Sequence, residues 1–393
     1  MTANDAPPML PRQVAAALAV GTIAVLMIGV QPILLGELVD AKQVSLEGVG
    51  IVAMAEIVTL GLGVALGDAL LPGAQLRRIT LMAALLAACL DLLTMRASGD
   101  AAMTAVRAAA GLAEGVLVWG TTGVIVRHAN PARLGGVFFV VQTIAQAALG
   151  AVLAHAVIPR AGWQGGFAAL AVLTLLPCVL AFRQPARLAP LAAPAVSGFR
   201  WSLPTGLPLA VAFLQLATLG AFWAYLEPLG KAAGFDAKAA QTLIDGVLVM
   251  QVIGGSIAAF AVGRLPARAT LVACSAVLAA VMLVLHALPA GRSFDFAIGC
   301  MVFGFVWMFM LPFHIGLAFG VDRSGRLAGL VPAAQLLGSA FGPLMASFIV
   351  EGDDAGAVPW LSAGFAVAAA ALLLALAAFR AAARPRPAGT GSP

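Results

Sequence analysis

Long apolar runs separated by short polar breaks limit this chain to one kind of solvent. Helical runs of about 20 residues match the roughly 30 Å hydrocarbon core of a bilayer. Such runs are read at 13–36, 46–67, 79–96, 101–125, 134–157, 166–182, 205–227, 240–262, 268–288, 294–319, 327–350 and 359–379. In that solvent each backbone N–H and C=O must be bonded within its own segment, so the runs are helices. Composition agrees: 62% of the 393 residues are hydrophobic and 10% are charged, against about 25% charged in an average soluble domain. The expectation is an all-α membrane protein of about twelve transmembrane helices.

The connections carry the breakers: LPGAQLRR, RHANPARLGG, PRAGWQGG, GRLPAR and VDRSGR. One link is longer, 183–204, and its Pro, Ala and Arg content reads as a non-spanning linker. It divides the chain into 1–182, a bundle of six helices, and 205–393, a second bundle of six with a short tail. With the N-terminus inside, fifteen of the 22 basic residues fall on the inner side, among them Arg77, Arg78, Arg127, Arg183, Arg200, Arg323, Arg384 and Arg386. Six fall on the other side, and Arg107 lies within a span. The positive-inside rule then places both termini in the cytoplasm. The net charge of +5 is thereby topological and gives no reason to expect nucleic acid. The first run, Val14 to Leu35, lacks a small-residue cleavage site and reads as an uncleaved helix.

The two halves read as copies. GWQGGFAALAVLTLLPCVLAFR and PWLSAGFAVAAAALLLALAAFR place Trp163 and Trp360, Phe182 and Phe379, and Arg183 and Arg380 at one common offset. Two pseudo-symmetric six-helix bundles are the economical reading, an architecture in which a central site is exposed alternately by rocking one half on the other.

Charges inside apolar runs are costly and mark function or a partner. Arg107 and Glu114 are two helical turns apart and, with Gly111, form one stripe of the fourth helix. Asp91, near the outer end of the third helix, lies at about the depth of Arg107, so an Asp91–Arg107 pair is expected. Glu56 and Glu114 both fall near mid-membrane, where two adjacent carboxyl groups do not comfortably both ionise, leaving one to carry a proton. Packing through backbone carbonyls is the competing role for Arg107, and solvation for Asp91.

Other polar and aromatic residues are candidates for the substrate cavity or for interhelical hydrogen bonds: Gln31, Gln142, Gln146, Gln215, Gln251, Gln335, Trp119, Trp307 and His314. AFWAYLEPLG at the outer end of the seventh helix adds Trp223, Tyr225 and Glu227, read either as an interfacial aromatic belt with a solvated acid or as an outer gate. Cys89, Cys178, Cys274 and Cys300 stand alone in apolar runs and read as packing residues.

The stretch Arg107-AAA-Gly111-LA-Glu114-Gly115 is similar to the arginine-then-glycine motif in the fourth helix of many major facilitator superfamily members. GWQGGF at Gly162 resembles the start of helix six in that family. Over nearly its whole length the chain resembles this superfamily, which implies its two-bundle fold and secondary transport. GDALLPGAQLRR keeps Asp68, Arg77 and Arg78 of the family's cytoplasmic gate loop but not its compact spacing. Helix five lacks the Gly-Pro motif of drug/proton antiporters, although Gly342-Pro343 occurs in helix eleven.

No P-loop and no dinucleotide-binding glycine motif is present, and four scattered histidines give no haem or metal frame. The reading is therefore not an enzyme and needs no cofactor. It is a proton-coupled secondary active transporter of a small organic solute, a monomer surrounded by lipid in a bacterial inner membrane. Efflux by drug/proton antiport is the alternative within transport. A cofactor-dependent membrane enzyme or a lipid scramblase is the alternative outside it.

Overall fold

Most helix ends fall where the sequence places its breakers. The computed structural model describes residues 9–189, 202–289, 291–322 and 326–382. The first span is two helices, α1 (Pro11–Ala24) and α2 (Leu26–Asp40). They are followed by α3 (Leu46–Leu70), α4 (Leu76–Thr94), α5 (Asp100–Ile125), α6 (Pro131–Val152) and α7 (Ile158–Leu180). The second half also begins with a divided span, α8 (Leu203–Ala224) and α9 (Leu226–Ala232). It continues through α10 (Ala237–Ala261), α11 (Ala267–Ala287), α12 (Ser293–Phe319), α13 (Arg326–Ser347) and α14 (Val358–Ala382). Ser45, Asn130 and Asp236 accept from the N–H groups of Gly48, Arg133 and Ala239 at 2.9, 3.1 and 2.7 Å. Each thereby satisfies a donor that the first turn of a helix leaves open. The expected loop PRAGWQGG is largely helical, and the chain turns at Gly162, whose φ of 60° a side chain would resist.

Ten helical stretches among the described residues have the length and hydropathy to cross a bilayer, and one of them, Arg133–Arg183, spans 51 residues and contains both α6 and α7. Of the two named helices outside these stretches, α9 is the seven-residue second piece of a divided span, and α4 is 19 residues long and carries Arg77, Arg78 and Asp91, too many charges to count by composition alone. Together these make the all-α, two-bundle architecture. Its internal symmetry is visible in the divided spans: Val25 (φ −106°, ψ 9°) and Tyr225 (φ −105°, ψ 11°) interrupt the first helix of each half with nearly the same geometry. At Tyr225 the cause is local. Pro228 in the first turn of α9 has no N–H to offer the Ala224 carbonyl, so the ladder cannot run through.

Glycine lets helices meet at backbone distance. A Cβ on Gly115 of α5 would lie 2.1 Å from the Leu60 carbonyl oxygen of α3, and one on Gly111 would lie 2.3 Å from that of Glu56. In the second half, Gly338 and Gly342 of α13 press in the same way on Phe213 and Ala217 of α8. Gly115→Leu must therefore prise α3 from α5, and overpacking of this kind costs about 1–3 kcal/mol or more. A clear fall in unfolding temperature in detergent is expected, whereas Gly364→Ala, at a position open on every side, should hold or raise it.

The halves meet along α3 with α13 and α6 with α10. Five hydrogen bonds among the described residues cross between them: Gly50 N to Tyr225 Oη (3.0 Å), Trp223 Nε1 to the Ile28 carbonyl (3.0 Å), Lys231 Nζ to Asp40 (2.5 Å), Gln241 Nε2 to Glu37 (2.7 Å) and Gly352 N to Glu47 (3.0 Å). All belong to the end opposite the arginine-rich loops. That end is closed.

Three expectations need correction or restriction. Cys89 is exposed and does not pack inside, while Cys274 and Cys300 are buried. The start of the 183–204 segment is docked on the first bundle: Gln184 is fully buried, its carbonyl accepts from Arg77 Nε and Nη2 at 3.1 and 2.9 Å, and its side-chain oxygen accepts from Thr80 at 2.9 Å. Residues 190–201, 323–325 and 383–393, and with them Arg200, Arg323, Arg384 and Arg386, lie outside the described residues.

Candidate functional site

Five of the first six spans converge on one buried guanidinium. Arg107 of α5 is fully buried, and its Nη1 donates to Asp91 Oδ1 of α4 at 2.8 Å, the pair expected from helix depth. Its Nη2 bonds Glu56 Oε1 of α3 and reaches Glu114 Oε1, one stripe along α5, at 3.3 Å. Around these charges Gln31 Nε2 of α2 donates to Glu56 Oε2 at 3.4 Å, and Thr174 Oγ1 of α7 donates to Asp91 Oδ2 at 3.2 Å. The ring of Phe167 lies 5.6 Å from the guanidinium carbon, a cation–π contact. Glu114 Oε2 and Arg107 Nε have no partner.

One guanidinium thus faces three carboxyl groups in a dry interior. If all three ionise, the cluster holds two uncompensated negative charges, a costly state at low dielectric. Proton binding removes that excess without moving a helix. None of the hydrogen bonds that join the two halves touches Arg107. Yet α2 and α3 carry both functions: Gln31 and Glu56 join the cluster, while Asp40 on α2 and Gly50 on α3 bond the other half.

The second half carries a neutral counterpart. His314 of α12, fully buried, bonds Gln215 Oε1 through Nε2 at 2.5 Å and Gln335 Nε2 through Nδ1 at 2.8 Å. Gln215 Nε2 in turn donates to the Leu271 carbonyl at 3.1 Å and to Ser275 Oγ at 2.7 Å. The Leu271 carbonyl, which can only accept, fixes the Gln215 amide, so that its oxygen faces a protonated His314 Nε2; Nδ1 accepts from Gln335 when the ring is neutral.

The other sequence candidates separate by role. Gln146 donates to the Val25 carbonyl at the α1–α2 break (2.7 Å), whereas Gln142 is half-buried with no hydrogen bond among the described residues. Gln251 is buried with its Nε2 unpaired. Trp119 packs inside the first bundle against Gly67, away from the seam. Trp223 and Trp307 meet edge to face at 5.4 Å beside the seam. Glu227 is not solvated: it is fully buried, 2.9 Å from Lys231. The gate residues Asp68, Arg77 and Arg78 are not assembled, because Arg77 is held by Gln184 while Asp68 and Arg78 are exposed.

Sequence reasoning missed Glu37, Asp40, Lys231 and Gln241, which tie the halves at the closed end, and Asp245, half-buried at the seam with both carboxyl oxygens covered. The spacing of Glu37 and Asp40 was a usable sign, since one helical turn puts both on one face.

No family model matches the sequence, and no curated protein matches it either. Solved structures do. The nucleoside transporter NupG superposes over 93% of this chain and 98% of its own, with a TM-score of 0.66 at 13% identity. A bacterial homolog of the human lysosomal transporter Spinster, in an inward-facing and unoccupied conformation, covers 96% of this chain and 99% of its own, with a TM-score of 0.65 at 14% identity. The xylose transporter XylE from E. coli, in a partially occluded inward-open conformation, covers 92% and 99%, with a TM-score of 0.68 at 11% identity.

Proposed function

We propose that this chain, which has the major facilitator fold, is a proton-coupled secondary active transporter of a small organic solute. The observation that carries the reading is the sealed cluster of Arg107 with Glu56, Asp91 and Glu114, in which proton binding corrects an excess of negative charge. Transport then follows from rocking 1–182 against 205–393, with 183–204 as the tether. The two helices that hold Gln31 and Glu56 also bond the opposite half, so a change of charge at the cluster bears on both sides of the same rigid elements. The arginine-rich face is the cytoplasmic one, in a bacterial inner membrane, and the protein acts as a monomer.

A thermal-shift screen identifies a solute, with nucleosides and pentoses tried first because two of the similar structures transport such molecules. Flux is then measured in liposomes with imposed pH gradients. An inward proton gradient should accelerate uptake and a protonophore should abolish the acceleration. Flux indifferent to both would overturn proton coupling. Labelling of a cysteine introduced after residue 382 in intact cells, if it occurred from outside, would overturn the orientation.

A further inference from the structure

Asp245 lies eight residues into α10, about 12 Å from its start, facing the other half. Both of its carboxyl oxygens are buried and without a hydrogen-bond partner. Across the seam stands Gly150 of α6, where a Cβ would lie 2.2 Å from Asp245 Oδ1 and 3.4 Å from Ile33 Cδ1 of α2. The carboxyl group therefore rests on backbone and aliphatic surface, in space that exists because residue 150 has no side chain.

The charged groups on the elements packed around α10 are engaged elsewhere or distant. Glu37 of α2 bonds Gln241, Lys231 of α9 bonds Asp40 and Glu227, and Arg292 pairs with Asp295 at the start of α12. His314 of α12 is bonded to Gln215 and Gln335. Arg133 at the far end of α6, His155 on the π turn after it, and Lys238 on α10 itself are exposed. An ionised carboxylate whose covered oxygens meet neither donor nor cation is poorly placed here, and its acid form is the less costly one.

We propose that Asp245 is a second proton-binding site, separate from the Arg107 cluster, and that its proton keeps the α6–α10 seam closed. When the proton leaves, the carboxylate requires water, and the halves part at this end. The inference rests on the alternating-access reading above. It adds to that reading a proton that acts directly on the moving interface.

The test uses spin labels on Ser98→Cys and Ala237→Cys, exposed positions of opposite halves at the closed end. Cys89, Cys178, Cys274 and Cys300 are replaced by serine, and distances are measured by pulsed electron resonance in lipid nanodiscs from mildly acidic to mildly alkaline pH. The long-distance population should grow severalfold with pH. Asp245→Asn should hold the short distance at every pH, and Gly150→Ala, which fills the carboxyl's space, should favour the long distance throughout. An Asp245→Asn protein that responds to pH like the parent overturns the proposal. Liposome flux measured on the same proteins separates the two readings. Retained proton-driven flux beside an unaltered Asp245→Asn response removes the seam proton alone, while no flux and a single fixed distance in every variant removes both.

Discussion

Arg107→Ala is expected to abolish proton-driven transport and to lower the unfolding temperature more than any other single change in the first bundle. The side chain is the sole cation among three buried carboxyl groups, bonded to Asp91 at 2.8 Å and to Glu114 at 3.3 Å as well as to Glu56. Removing one partner of a buried ion pair costs about 3–5 kcal/mol, because the charges left behind have lost their compensation. Adding Asp91→Ala removes one of those stranded charges, so the double variant should be more stable than the single one. These neighbours share a network, and their effects should not add. Equal unfolding temperatures for the parent and Arg107→Ala would sink the account. A double variant no better than the single would remove Asp91 as the dominant partner.

Glu56→Gln and Glu114→Gln should each cut proton-driven flux at least tenfold while leaving substrate counterflow, which needs no net proton movement, largely intact. Glutamine keeps the shape and the hydrogen-bonding capacity of each acid but cannot exchange a proton. The two effects should differ in stability. Glu56 is bonded by both Arg107 and Gln31, whereas Glu114 leaves Oε2 unpaired. Glu56→Gln should therefore destabilise, and Glu114→Gln should be nearly neutral. If both variants remain fully proton-driven, the coupling acids lie elsewhere in the chain.

The parts of this site that were legible in the sequence are those fixed by helix geometry. Arg107 and Glu114 share a stripe because they are two turns apart, and Asp91 meets Arg107 because antiparallel neighbours of known length match in depth. That arithmetic needs only the rise per residue. It could not show Glu56 on the same guanidinium, since this depends on how far α3 approaches α5, and Gly111 and Gly115 set that distance. Glu227 read either as a solvated acid or as part of an outer gate, because it ends an apolar run. It is buried because Pro228 breaks the helix and turns α9 against α2. Asp245 was visible as an acid within 240–262, but whether such an acid finds a partner is decided by the opposite half. The Asp68, Arg77 and Arg78 loop shows the same limit, for Arg77 is taken by a carbonyl from the connecting segment.

One contact across the seam has a bearing on inheritance. Pro32 in α2 has no N–H for the Ile28 carbonyl four residues before it, and the indole of Trp223 supplies the missing donor from the other half at 3.0 Å. The demand arises in one half and is met in the other, so neither residue is selected alone. A descendant that replaces Pro32 restores the helix's own donor and frees position 223 to change, whereas one that loses Trp223 first leaves a buried acceptor open. The order of substitution is therefore constrained even though the final pairs are equally sound. One proline and one tryptophan thus tie the two halves at this point through a single hydrogen bond.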